Sequence, residues 1–162
     1  MITLREARPG EAVLLAELQE RASVAALQHI FPPELYPYPR PAIRDNWDGA
    51  LADPTRTVVV AETKEPVGVV CAGDGWLEAL YVAPEHWGAG VADVLHDRVL
   101  ELVREGGAAE CRLWVLESNQ RARRFYERRG WHENGDTRVV PYPPNPIDVG
   151  YTIELETTLA AP

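Results

Sequence analysis

Residues 77–92, LEALYVAPEHWGAGVA, carry the spacing with the plainest chemical consequence. An apolar, strand-like run stops at Pro84, a glycine-rich turn follows at Gly88-Ala89-Gly90, and an amphipathic helical pattern begins at once. Free backbone N–H groups at a helix N-terminus make an anion site without any charged side chain. Glycine at 88 and 90 lets the backbone come close to phosphate oxygens. A phosphorylated cofactor is therefore expected here. Gly88-Ala89-Gly90 also fits the start of a dinucleotide G-x-G-x-x-G. The third small position is Asp93, however, and only one strand–helix–strand unit surrounds the turn. Glu117, spaced for a ribose contact, keeps a Rossmann-type dinucleotide enzyme as a remote alternative. No G-K-[ST] follows the glycines, so a Walker loop is excluded.

Other residue types set bounds on the chemistry. The histidines His29, His86, His96 and His132 have no ligand spacing, and no metal is expected. Cys71 and Cys111 sit in apolar runs and read as buried, reduced thiols. The N-terminal MITLREARPGEA lacks an apolar signal region, and no run reaches membrane-spanning length. A cytoplasmic protein without membrane partners is expected. The net charge of −9 argues against nucleic-acid binding and is compatible with steering of cationic substrates, or simply with solubility.

The elements that must position these residues follow from periodicity. With 162 residues and 46% hydrophobic content, a single domain spanning 1–162 is expected, burying roughly 70% of its unfolded surface. Ile2 to Ala7 reads as a strand and Ala12 to Leu27 as a helix, with Leu14, Leu18, Ala22 and Ala25 on one face. FPPELYPYPRP, residues 31–41, packs five prolines and three aromatics and cannot form a regular helix. It is either a rigid connection or a pocket wall. A shorter helix spans 42–52, with Trp47 on its buried side. TVVVAET, PVGVVCAG and Trp76 to Ala83 form consecutive strands of an antiparallel meander. A helix over 90–105 ends at Gly106-Gly107, a strand covers 110–116, and a helix capped by Ser118 or Asn119 runs to Arg129. Strands near 131–140 and 149–157 close the chain. The order is β-α-α-β-β-β-α-β-α-β-β.

Two motifs within this frame carry a resemblance. Trp87-Gly88-Ala89-Gly90-Val91-Ala92 resembles the Q/R-x-x-G-x-G/A acyl-CoA loop of the GNAT superfamily of N-acetyltransferases. Asn119 to Trp131, NQRARRFYERRGW, resembles that superfamily's N-x-x-A-x-x-F-Y-E-(K/R)-x-G-(F/W) helix, and LYVAP at 80–84 matches the strand leading into the loop. The resemblance implies a mixed α/β fold: a mostly antiparallel sheet of about seven strands, splayed in the middle and flanked by about four helices. It implies acetyl-CoA as co-substrate and transfer of the acetyl group to a primary amine, of a small molecule or a peptide N-terminus, by direct attack in a ternary complex. A homodimer is common in that superfamily.

By the same resemblance, Leu80, Tyr81 and Val82 would pair with pantetheine, the Val82 amide aimed at the thioester carbonyl. The amides of Gly88, Ala89, Gly90, Val91 and Ala92, with Trp87, would hold the pyrophosphate, aided by Arg121, Arg123 or Arg124. Tyr126 would protonate the departing thiolate, against the plainer reading of a core aromatic. Asn119 would reach the pantetheine arm or serve only as an N-cap. The two-residue strand period places Glu78 on the face of Trp76, Leu80 and Val82, where it could take the amine's proton. Trp87 and Ala89 replace residues that usually add polarity or charge, and Asp93 adds negative charge. A non-catalytic acyl-CoA or small-ligand binder of the same fold is the alternative. Tyr36, Tyr38, Trp47 and Tyr142 are the expected walls of the acceptor pocket, suited to a cationic, partly apolar amine.

Overall fold

A computed structural model describes residues 1–156. Its elements are β1 (Thr3–Glu6), α1 (Ala12–Leu27), α2 (Arg40–Ala52), β2 (Thr57–Glu62), β3 (Pro66–Gly73), β4 (Trp76–Val82), α3 (Val91–Glu105), β5 (Glu110–Leu116), α4 (Gln120–Arg128), β6 (His132–Val139) and β7 (Ile147–Glu154). The order is the expected one, with a single 3-10 turn added at Pro84–His86. α2 starts two residues before the expected boundary, because Pro41 fits the first helical turn, where its missing N–H costs nothing. The expected end of the last strand, Thr157, lies outside the described residues. No helix among the described residues is long and apolar enough to cross a membrane.

The seven strands form one sheet in the order β1-β2-β3-β4-β5-β7-β6. Every neighbouring pair is antiparallel except β4 with β5. That parallel pair is joined by the single register match Trp76 with Arg112, so the two strands part beyond it and leave the C-terminal half of β4 with an open edge. Such a sheet is not the doubly wound parallel array a dinucleotide fold needs, and the Rossmann alternative falls with it.

Each face of the sheet has its own core. α3 covers one face through Val91, Leu95, Val99 and Val103, which pack with Val70, Leu77, Val82, Leu113 and Tyr126. Approach is close enough that a Cβ on Gly68 would meet Leu95 and Val91 side-chain carbons at 2.9 Å. Leu95 is fully buried, so Leu95→Ala would cost about 2–5 kcal/mol, transfer and cavity terms together. α1 and α2 cover the other face through Leu15, Leu18, Ile43 and Trp47, against Val58, Val60, Val69 and Cys71.

An irregularity in β4 overturns one expectation from the strand period. Cys71 pairs with Ala79 and Ala72 with Leu77, which leaves Glu78 as the extra residue of a β-bulge. The bulge breaks the two-residue alternation. Leu77, Leu80 and Val82 face α3, whereas Glu78 turns to the α1–α2 face, where the Cys71 thiol donates to its carboxylate at 3.3 Å. Trp76 lies with it, stacked on Trp114 at 6.2 Å between ring centroids. Glu78 therefore does not share a face with Leu80 and Val82.

Candidate active site

The open edge of β4 is where the site is built. The Ala83 N–H donates to the Val67 carbonyl at 2.8 Å, across to β3. Donors alternate between the two edges of a strand, so the N–H groups of Leu80 and Val82 point the other way, into the gap beside β5. The Val82 carbonyl at this edge accepts the Trp87 indole N–H at 2.8 Å. One edge acceptor is thus already taken by the chain itself.

Beyond β4, Gly88 and Gly90 hold positive φ of 80° and 86°. A Cβ at either would meet nothing within 4 Å, so the requirement is conformational and not one of space. Gly90 stands at the N-terminus of α3 and provides no side-chain cap. Among the described residues, the N–H groups of Gly88, Gly90, Val91 and Ala92 have no protein acceptor, while that of Ala89 turns back to the His86 carbonyl at 3.4 Å. Four of the five expected amides are free, and Ala89 is the exception because the turn closes on it.

These donors open into a cavity of about 400 Å³ that Arg121, Arg124, Arg128 and Arg129 also line. Arg121 and Arg124 are where they were expected. Arg123 is not: it donates to the Tyr151 hydroxyl at 3.0 Å and to the Glu117 carbonyl at 2.8 Å, and pairs with Glu133. The helical turn points it away from its neighbours. Arg121 lies over the Trp87 ring, 3.5 Å from its centroid, so Trp87 holds a cation at the cavity wall. Asp93 pairs with Arg129, which also lies 3.6 Å over Phe125, and the acid so neutralises one of the four cations. Free amides and arginines suit a phosphate-bearing ligand. Asn119 Oδ1 accepts the Ala122 N–H at 3.2 Å, the N-cap geometry.

Tyr126 is 7% exposed and packs on Phe125, Trp131 and His96, with ring centroids 5.2, 5.7 and 6.5 Å away. Its hydroxyl donates to no side chain or backbone group among the described residues. Burial first, then the neighbouring Tyr81 and Cys111, raise its pKa well above the ordinary phenol value. It remains a neutral hydrogen-bond donor at physiological pH. Burial likewise lifts the Cys71 and Cys111 thiols to about 12 and keeps both protonated.

On the α1–α2 face lies a second cavity of about 630 Å³. Tyr36, Tyr38 and Tyr142 line it, as the proline-rich segments suggest. Trp47 does not: it is 4% exposed, and its indole N–H donates to Gln19 Oε1 at 2.9 Å between α1 and α2. Its position on the buried stripe of α2 makes it core, while Ile43, one turn earlier, reaches the cavity. Tyr81 also lines this space, and burial, with the Asp148 charge second, pushes its phenol up to about 12. Glu78 lies farther along the same face, beside Trp76, Trp114 and Arg138, and pairs with Arg56 at 2.6 Å.

Two groups here escaped the sequence reading. Asp148 on β7 is 7% exposed and lines the cavity, and Arg138 on β6 holds its Oδ2 at 2.9 Å. The signal was an acidic residue at an inward-facing position of IDVGYTIE, legible only with the strand's register in hand. Arg128 and Arg129 were likewise passed over beside Arg124.

Known proteins resemble this chain in sequence and in fold. The sequence model of the acetyltransferase (GNAT) family matches residues 22–131. An uncharacterised N-acetyltransferase of Mycobacterium tuberculosis is 34% identical over 91 residues, an alignment covering 52% of this chain and 58% of that one. The PaiA N-acetyltransferase of Thermoplasma acidophilum, solved in complex with coenzyme A, shares the fold at TM-score 0.74 and 16% identity, over 95% of this chain and 99% of that one. The Salmonella typhimurium protein YncA, solved with its cofactor acetyl-CoA, does so at TM-score 0.70 and 18% identity, over 100% and 98%. With the family's sequence model spanning more than half of its length, the glycine loop included, this chain belongs to the GNAT family of acetyltransferases.

Proposed function

We propose that the protein is an N-acetyltransferase that moves an acetyl group from acetyl-CoA to a primary amine within a ternary complex. One observation carries this reading. Adjacent residues of a single strand edge line two different cavities: Val82 the arginine-lined one, Tyr81 the tyrosine-lined one. A donor bound on one side and an acceptor bound on the other would meet there without a covalent enzyme intermediate.

In this reading the free amides of residues 88 and 90–92, with Arg121 and Arg124, hold the pyrophosphate. The N–H groups of Leu80 and Val82 align the pantetheine arm as an added strand would, and the Val82 N–H polarises the carbonyl under attack. Acetyl-CoA, when bound, supplies an activated thioester. Tyr126 donates its proton to the departing sulfur, and the second proton shed by the nitrogen after attack returns the phenol to its neutral form. Glu78 receives the amine's proton through water, since its carboxylate lies on the acceptor face and remains part-exposed. The acceptor occupies the tyrosine-lined cavity, which favours a cationic amine with an apolar body.

Free-thiol release, followed with acetyl-CoA against a panel of primary amines, tests the reading. Release should require both partners, and calorimetry showing no acetyl-CoA binding at millimolar concentration would sink it. The alternative of a non-catalytic acyl-CoA binder has its own support. Trp87 occupies the Val82 carbonyl, and Asp93 neutralises Arg129. Tight acetyl-CoA binding with no thiol release for any amine would favour that alternative.

A further inference from the structure

We infer that Asp148 is the residue that recognises the ammonium group of the acceptor, with Arg138 as the built-in cation it competes against. The inference rests on the transferase reading for its biological meaning, though the binding it describes is measurable without acetyl-CoA. Asp148 is the one carboxylate lining a cavity otherwise walled by aromatic, proline and aliphatic side chains together with Gln19 and Ser23. Its carboxylate is only half engaged. Arg138 Nε donates to Oδ2 at 2.9 Å, and Oδ1 makes no hydrogen bond among the described residues. Nor is Oδ1 sealed off, because the only buried, unpartnered side-chain polar atom described is the Tyr38 hydroxyl.

The position of Arg138 explains why the second oxygen stays available. Its guanidinium spreads over the Trp114 ring, 4.6 Å from the centroid, and its side chain is 54% exposed while that of Asp148 is 10% exposed. Arg138 thus engages Oδ2 from a largely exposed position, and Oδ1 keeps no protein partner among the described residues. A buried carboxylate with one exposed arginine is under-compensated in low-dielectric surroundings, and a second cation entering from the cavity completes the pairing. Tyrosine rings beside it suit the same ligand, since their faces attract ammonium groups and their edges pack against an apolar body. The occupant is therefore a primary ammonium on a compact aromatic or aliphatic body, without a carboxylate beside the amine.

Glu78 is a poorer candidate for this contact. Its carboxylate is shared between Arg56 at 2.6 Å and the Cys71 thiol at 3.3 Å, and it does not line the cavity.

The test measures calorimetric binding of 2-phenylethylamine and of its carboxylated counterpart L-phenylalanine, without acetyl-CoA. Wild type, Asp148→Asn and Arg138→Gln are compared. Wild type should bind 2-phenylethylamine at least about tenfold tighter than L-phenylalanine, and Asp148→Asn should lose about tenfold for the amine, equivalent to about 1.4 kcal/mol. Arg138→Gln should instead tighten it about threefold, because a competing cation is gone. If the Asp148–Arg138 pair were only structural, both variants would break the same contact and move affinity the same way. Parallel losses would overturn the inference, as would an unchanged Asp148→Asn or a wild type that ignores 2-phenylethylamine at about 10 mM, a Kd weaker than any specific pairing implies. Should Asp148→Asn fail to fold, Arg138→Gln and the L-phenylalanine comparison still decide. Acetyl-CoA is titrated separately into wild type. Its failure to bind would remove the transferase reading and leave the amine result standing.

Discussion

The cavity around residues 88–92 takes its donors from the backbone, whereas the cavity between α1 and the β6–β7 hairpin is made of side chains from scattered segments. Backbone N–H groups at a helix N-terminus are placed by φ and ψ alone, so a few glycines specify them. A side-chain wall depends on how distant segments pack. Tyr36 and Tyr38 come from the proline-rich connection, Tyr81 from β4, Tyr142 from the loop between β6 and β7, and Asp148 from β7. Small changes on the first side should disturb one ligand class alone, and changes on the second should retune which amine is accepted.

The sharpest break should come at the proposed acid. Tyr126→Phe removes only a hydroxyl, and turnover by thiol release should fall about 100-fold, the usual scale for a lost general acid, with acetyl-CoA affinity held within about twofold. An equal loss of binding would make Tyr126 a cofactor ligand and blur the division between binding and chemistry. On the backbone side, Gly90→Val forces a branched side chain into positive φ at a strain of about 1–2 kcal/mol. Acetyl-CoA affinity should drop about tenfold by calorimetry, and amine binding should not change. A loss in amine binding would show that the two cavities are coupled.

Smaller effects refine the two sides. Glu78→Gln should slow thiol release about fivefold near pH 7, a modest acid–base effect for a base acting through water. The defect should shrink above the amine's own pKa, about 10 for an alkyl ammonium, because a neutral amine needs no deprotonation before it attacks. A pH-independent defect would assign Glu78 a packing role beside Cys71. Asp93→Asn should tighten acetyl-CoA binding about twofold to threefold by releasing Arg129. It should also cost about 0.3–1 kcal/mol of stability by removing an acid from the first turn of α3. Weaker binding in that variant would mean Asp93 positions Arg129 instead of neutralising it.

Much of the glycine-loop side was legible in one dimension. Gly88 and Gly90, the helix after them and the FYERRGW run are local patterns, and local patterns survive folding with little change. Arg123 shows the limit: among three arginines in one helical turn, only packing decides which faces the cavity. In the tyrosine-lined cavity, the proline-rich segments mark Tyr36, Tyr38 and Tyr142 because rigid loops with aromatics tend to form walls. Trp47 was misplaced because an amphipathic stripe tells that a residue is buried, not what it is buried against. Glu78 was put on the wrong face because a β-bulge adds one residue to a period of two, and nothing in WLEALYV announces it.

From its sequence alone, this protein's element order, its glycine loop and its membership among acetyl-transferring folds could be read, because each rests on backbone conformation and residue spacing. The parting of β4 from β5, the neutralisation of Arg129 by Asp93 and the meeting of Asp148 with a tyrosine-lined cavity were decided only in three dimensions. They depend on contacts between residues far apart in the chain, whose geometry is set by how the two faces of the sheet pack against their helices.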